Sequence, residues 1–184
     1  MHALAQTEQA APSGANVEQG QYLTFFLAGE TFAIGISGVK EIIEYGDLTI
    51  IPMMPEFIRG VINLRGSVVP VVDLSARFGK KACSVTKRTC IVIIEVESAD
   101  EKQDIGMMVD AVSAVLEIPS SEIEPAPAFG ARIRTDFIDG MGKVSGKFVI
   151  ILNVDHVLSI EEMAEMAMVA GTGQGEAAVV ADVG

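Results

Sequence analysis

Residues 57–74 read FIRGVINLRGSVVPVVDL. Two β-prone runs, IRGVINL and SVVPVVDL, meet at Arg65-Gly66. Glycine there permits a positive φ, so the pair is predicted to be a hairpin with a tight turn. Gly66 is the structural turn residue of that hairpin. Pro70 has no amide to give to a ladder, which predicts an edge strand or a bulge. Arg65 is the odd residue, a permanent cation in a mostly apolar or small stretch. It must reach water or find a carboxylate. Two readings stand at this point: an exposed turn arginine, or an arginine held by an acid and presented to a partner.

Upstream, residues 1–20 are polar, small and aperiodic, which predicts a disordered tail. Residues 22–28 and 31–36 are predicted strands joined by a turn at Ala28-Gly29-Glu30. In SGVKEIIEYG, Val39, Ile42 and Ile43 fall at helical spacing behind Ser37, a plausible N-cap. A short helix of about two turns is expected there. Glu41 and Glu44 share its flank, and either reaches Arg65 if that helix packs beside the hairpin. The next stretch, DLTIIPMMPEFIRG, is predicted as a strand broken by Pro52 and Pro55. Downstream, LSARFGKK ends the unit in a short helical turn, and residues 80–88 form a basic connector. Residues 89–97 and 104–110 are strands around a polar turn, ESADEKQ. AVSAVLEIP fits helix by spacing and strand by composition. A proline-interrupted loop, 120–135, precedes a glycine-rich turn between two strands. A helix over 155–168 and a flexible tail, 169–184, close the chain. Residues 21–168 are thus expected to form one domain.

The chain contains itself twice. IRGVINLRGSVVPVVDL lies over IDGMGKVSGKFVIILNV at an offset of 80, bringing Phe57 onto Phe137, Gly60 onto Gly140, Gly66 onto Gly146 and Asp73 onto Asn153. Gly146 is therefore the second structural turn glycine. FAIGISGVKEIIE lies over IGMMVDAVSAVLE at an offset of 73, with Val39 on Val112 and Glu44 on Glu117. Each half reads strand, strand, short segment, linker, hairpin, strand. A mainly β fold of two pseudo-symmetric barrels follows, of about five strands each, with short helices. The second copy has Ser145 for Arg65 and Ala114 for Glu41, so both members of the proposed pair are lost together.

Composition limits the functions available. Net charge is −12, which argues against sequence-independent nucleic-acid binding and against an anionic membrane surface. Hydrophobic residues make up 49% of the 184, tryptophan is absent and aromatics are 5%, so the core must rest on Val, Ile, Leu, Met and Phe. No apolar run approaches the ~20 residues of a spanning helix, and no signal peptide is visible. The chain reads as cytoplasmic, with Cys83 and Cys90 reduced. No phosphate loop, nucleophile elbow or metal-ligand spacing is present, so no metal or cofactor is implied. Asp73, Asp110 and Asp139 are acids or bases in principle, but strand-end aspartates more often cap or turn. A small enzyme built on them is the remote reading. A binding module is the principal one.

The stretches 22–45, 51–74, 104–127 and 137–158 resemble the bacterial chemotaxis coupling family, CheW. The NLRG-x-VVPVVDL hairpin and the VD-x-V-x-x-VL-x-I segment carry the resemblance, which spans residues 22–166. It implies two SH3-like barrels. It implies an adaptor between the cytoplasmic tips of methyl-accepting chemotaxis receptors and the histidine kinase CheA, met through the kinase's own CheW-like regulatory domain. The same scaffold also suits a chemotaxis-like pathway for surface or pilus motility. The resemblance makes Arg65 a receptor contact and Glu41 its paired acid, with Val39 beside them. Gly106, Val112 and Val115 become the second-barrel side of the receptor groove, and Gly60 a kinase-side position. Met107-Met108 replaces a more β-branched pair, and both tails are long for a minimal adaptor.

Overall fold

A computed structural model describes residues 20–98, 101–126, 133–166 and 168. Most of both expected tails and part of the proline-interrupted loop lie outside the described residues. Among the described residues eleven strands dominate. They are β1 (Gln21–Leu27), β2 (Glu30–Gly35), β3 (Val39–Glu44), β4 (Ile58–Leu64), β5 (Ser67–Asp73), β6 (Cys90–Ser98), β7 (Glu101–Val109), β8 (Ala111–Glu117), β9 (Ile123–Glu124), β10 (Ile138–Val144) and β11 (Lys147–Leu152). Helical turns α1 (Leu74–Arg77) and α2 (Val154–Val157) follow β5 and β11. A further helix, α3, covers residues 160–166. The strands form a five-stranded sheet, β3-β6-β7-β5-β4, and a six-stranded one, β8-β1-β2-β11-β10-β9.

The hairpin turns form as predicted. Ala28-Gly29, Arg65-Gly66 and Ser145-Gly146 are two-residue loops with positive φ at both positions. That is the signature of the primed turns whose twist matches antiparallel strands. Asn63 adds a local anchor, its Oδ1 accepting from the Gly66 amide at 2.8 Å.

The repeat is real down to single residues. In β4 the register skips Arg59, and in β10 it skips Asp139, positions 80 apart. In β3 the register skips Lys40 and in the β1–β8 pair it skips Ser113, positions 73 apart. Parallel pairing obeys both offsets at once: Val71 faces Gly106, and Ile151 faces Ala33. The barrels do not coincide with the repeats, however. The β1–β2 hairpin of the first copy joins β8, β10 and β11 of the second. The β6–β7 hairpin of the second joins β3, β4 and β5 of the first. The two copies exchange hairpins, so neither SH3-like barrel is complete from one half of the chain.

Several expectations change. SGVKEIIEYG is not helical from Ser37. Residues 36–38 make one 3₁₀ turn without a side-chain cap, and Val39–Glu44 is an edge strand against β6. The reason is that Val39, Glu41 and Ile43 are half-buried while Lys40, Ile42 and Glu44 are exposed. Period two wins over period 3.6, helped by the β-branched residues. The same competition settles AVSAVLE as β8. The stretch around Pro52 and Pro55 contributes only a bridge from Thr49 to Val61. Pro70 is not on an edge strand, because β5 lies between β4 and β7. It escapes the ladder differently. Val61 spends both its backbone groups on Thr49, so its partner Pro70 faces away from β4. The parallel ladder to β7 starts one residue later, at Val71, whereas the second copy pairs Ile150 in the corresponding place. The expected helix over 155–168 is broken at Leu158-Ser159.

One buried cation holds the seam. Arg77, at the end of α1, is 6% exposed. Its guanidinium lies 5.3 Å from the Phe57 ring centre and 4.7 Å from that of Phe137. These phenylalanines are repeat mates. Its Nε donates to the Val157 carbonyl at 2.7 Å, the residue 80 further on, and thus to its own repeat mate. Phe25, Phe32, Phe78 and Phe137 continue the seam as a chain of ring contacts 5.7–6.1 Å apart.

Arg77 also fastens α3, its Nη2 lying 3.3 Å from Glu162. Arg134 clasps Glu162 from the outside and donates to Asp136 at 2.6 Å. Ser159 caps α3 through the Glu162 amide at 3.2 Å, and Met163 is buried against the core. The hydrogen bonds from Arg134, and then the charge of Arg77, hold the Glu162 carboxyl below its usual range.

Two predictions follow from this framework. Gly60 has φ +148°, and a Cβ there would collide with the Thr49 carbonyl, whereas Gly66 at φ +89° faces open space. Gly60→Ala therefore costs roughly 3 kcal/mol or more and Gly66→Ala about 1 kcal/mol, measured by chemical denaturation. Equal costs would mean that the bulge is not the constraint. Second, the depressed Glu162 carboxyl stabilises docked α3 fully above its unfolded value of about 4.3, and loses that effect as pH falls through its lower folded value. Amide exchange across 160–166 should accelerate below about pH 4, and Glu162→Gln should accelerate it already at neutral pH. The barrel strands should keep their protection in both cases.

Candidate functional site

The β4–β5 hairpin and β3 lie at opposite ends of the five-stranded order. Curling of the sheet brings them together, and Arg65 meets Glu41 across the closure. Both guanidinium Nη atoms reach the carboxylate. Nη2 pairs with Oε1, and Nη1 lies 3.4 Å from Oε2. The Arg65 side chain is 69% exposed and that of Glu41 29%. An ion pair so open contributes roughly 0–1 kcal/mol to stability. At the matching positions of the second barrel stand Ser145 and Ala114, neither of them charged, and Ser145 has the same turn conformation, φ 51° against 52° for Arg65. Closure does not require the pair. The placement of Glu41 was anticipated, but on a strand rather than a helix. Glu44, the other acid considered, is exposed at the end of β3.

Val39 is half-buried and packs on the core beside Glu41's strand face. Val112 likewise packs on the core from β8, while Val115 is 52% exposed. Gly106 departs from expectation. It lies in β7 of the five-stranded sheet, not in the barrel of Val112 and Val115, and it is buried. A Cβ there would stand 2.7 Å from Ile91 Cγ2 and 3.3 Å from Val71 Cγ2. Gly60 is also buried, at the β4 bulge, where the Thr49 segment crosses it closely. Both glycines shape the backbone and present no side chain to a partner. Gly66 and Gly146 occupy the turns assigned to them.

Exposed apolar residues repeat with the fold. Ile42 and Val115 share one offset, and Val68 and Phe148 the other, with 42%, 52%, 71% and 52% exposure. Each barrel thus shows the same two apolar positions. Only the first adds the Arg65–Glu41 pair.

The three strand-end aspartates are committed elsewhere. Asp73 is fully buried, caps α1 through the Ala76 amide at 3.2 Å, and accepts from the Cys83 amide at 2.9 Å and Arg59 at 3.2 Å. Asp110 accepts from the Ala28 amide at 2.8 Å. Asp139 accepts from Asn153 at 3.0 Å. The Asp139–Asn153 pair occupies the positions of Arg59–Asp73 in the other copy, with the polar roles reversed. His156 is exposed on α2, its Nδ1 2.9 Å from the Asp136 carbonyl. Arg77 was not singled out in the sequence. The coincidence of Phe57 with Phe137 at one offset marks the two rings that Arg77 meets.

Among the described residues no helix is long and apolar enough to cross a membrane. The family model for the CheW-like domain matches residues 21–162. The chemotaxis protein CheW of Klebsiella aerogenes is 35% identical over 144 residues, covering 78% of this chain and 84% of that protein. That of Bacillus subtilis is 33% identical, covering 80% and 92%. The crystal structure of the scaffolding protein TtCheW from Thermoanaerobacter tengcongensis superposes with a TM-score of 0.68 at 37% identity, covering 76% of this chain and 87% of that one. With that coverage and two hairpin-exchanged SH3-like barrels, the chain belongs to the CheW-like domain family.

Proposed function

We propose that this chain is a non-catalytic cytoplasmic adaptor that couples the tips of methyl-accepting chemotaxis receptors to the histidine kinase CheA. The observation that carries the proposal is the Arg65–Glu41 pair. It is exposed, bidentate and dispensable for closing a barrel of this design. A charge pair that contributes so little to folding is available for recognition. The Glu41 carboxylate fixes the guanidinium's direction, which lowers the entropy lost when a partner takes up its remaining donors. The aspartates of the enzyme reading are all engaged in holding backbone and caps, which supports a scaffold.

In this reading Arg65 and Glu41 meet the receptor helix, with Val39 supporting them from β3 and Val112 and Val115 lining the second barrel's side. Gly106 and Gly60 act through the backbone geometry they permit. Kinase control arises from relative positioning, and no bond is made or broken in this chain.

Reconstitution of receptor fragment, CheA and this protein tests the proposal, read as kinase autophosphorylation. Activity should depend on this protein, and Arg65→His should weaken receptor pull-down by about tenfold with the melting temperature unchanged. The charge swap Arg65→Glu with Glu41→Arg should likewise keep the melting temperature but lose coupling, since the partner reads the sign. Kinase activity indifferent to the adaptor would sink the proposal, and full coupling by Arg65→His would remove Arg65 from it.

A further inference from the structure

The connector between the repeats gathers cations that the coupling surface does not use. Among the described residues, the Lys and Arg side chains outside ion pairs are Lys81, Lys87, Arg88, Lys143 and Lys147. The first three line one cavity of about 1000 Å³. The chain has 25 acidic residues against 13 basic ones, so a shortage of carboxylates does not explain the grouping. The single carboxylate in the lining, Asp110, accepts from the Ala28 amide. Asp73 lies beneath, fully buried and satisfied by Arg59, Ala76 and Cys83.

The loop that carries these cations is exposed, yet its backbone is pinned. Ser75 Oγ donates to the Lys81 carbonyl at 2.7 Å. The Cys83 amide is held by Asp73 at 2.9 Å. The Thr86 amide donates to Thr89 Oγ1 at 2.8 Å, and the Arg88 amide to Thr86 Oγ1 at 3.1 Å. The Arg88 guanidinium lies 6.0 Å from the Phe26 ring centre. Phe26, Ala28, Ala82 and Ala111 give the lining an apolar part beside the hydroxyls of Ser75, Ser84 and Thr86. Val85, half exposed, stands on the same loop.

We propose that this cavity binds an acidic, partly apolar peptide segment of a partner protein. Carboxylates pair with Lys81, Lys87 and Arg88, and an apolar side chain rests against Phe26 and Ala111. A single small anion fits less well. Its site needs donors converging on one point, whereas the buried hydroxyl of the lining, Ser75, is spent on Lys81 and the cations sit apart on an exposed loop. The volume suits several side chains at once. No residue of the Arg65 hairpin or of β3 lines the cavity, which shares only β8 with the proposed receptor contact, through Ala111 next to Val112.

The test is fluorescence anisotropy on the full chain with a labelled dodecapeptide of alternating Glu and Val, its Gln-for-Glu counterpart, and sodium phosphate as competitor. The Glu peptide should bind and the Gln peptide should not. Raising salt from 50 to 200 mM should weaken binding several-fold, as expected for exposed charge pairs. Lys81→Gln, Lys87→Gln and Arg88→Gln together should weaken it by about tenfold with the melting temperature unchanged. Lys143→Gln with Lys147→Gln, and separately Arg65→His, should leave it intact. Absence of binding, equal binding of the Gln peptide, or an unaffected triple variant would overturn the proposal. So would competition by phosphate at concentrations equal to the peptide, which would reassign the cavity to a free anion. Loss of binding in Arg65→His would move the site to the hairpin.

Discussion

The guanidinium of Arg77 sits where the two copies of the repeat face one another. It is stacked between Phe57 and its mate Phe137, and bonded to Val157, which is its own mate. Burial disfavours its charge, and Glu162 offsets part of that cost. A hydrogen bond to a charged group contributes about 1.5–3 kcal/mol, and each desolvated ring contact a further ~0.5–2 kcal/mol. Those gains hold only while both copies keep their places. With the exchanged hairpins, the arrangement makes separate folding of the halves unfavourable: each would lack two strands of its barrel and leave a cation or a carbonyl array unsatisfied. The Arg65–Glu41 pair therefore rests on a single cooperative frame, although the barrels look like independent modules.

That frame explains what was legible in the sequence. Glycines at a fixed offset survive because the backbone demands them. Gly60 and Gly140 clear a crossing segment at a bulge, and Gly66 and Gly146 accept positive φ at a turn. The apolar run of β5 is similarly forced, since Val69, Val71 and Val72 are buried in the core. The offsets of 80 and 73 could be read without any structure because they record registers. What could not be read is which hairpin pairs with which barrel. Sequence similarity identifies the copies, but an exchanged and an unexchanged hairpin leave the same pattern. Residues 39–44 misled for a related reason: at an edge strand half the positions are exposed on both sides, so Ile42 sits in solvent and blurs period two into period 3.6. The pairing of Arg65 with Glu41 survived that error because it depended on adjacency across the barrel mouth, not on local conformation.

The two copies hold their geometry while their chemistry drifts apart. At the bulge and cap, Arg59–Asp73 in one copy becomes Asp139–Asn153 in the other. Both pairs tie a bulge residue to the cap of the following helical turn, so the tie is conserved in space while its charge changes. At the barrel mouth the change is larger, from Arg65–Glu41 to Ser145–Ala114. The first change is constrained by a fully buried carboxylate, Asp73, which must find donors wherever it is. The second is unconstrained by folding, because the mouth is exposed.

This contrast separates residues that a fold needs from residues that a partner needs. A position whose polar character is matched by a complementary change within the molecule is answering to the interior. A position whose charge vanishes from the sister copy with no structural compensation is answering to something outside. In the proposed reading Arg65 and Glu41 are of the second kind, while the connector cations Lys81, Lys87 and Arg88 stand outside the ion pairs of the described residues. Both proposed surfaces lie on loops and strand mouths carried by a frame whose buried charges, Asp73 and Arg77, are paired internally. An adaptor needs that division: the frame fixes geometry, and the unpaired or weakly stabilising charges remain free to choose partners.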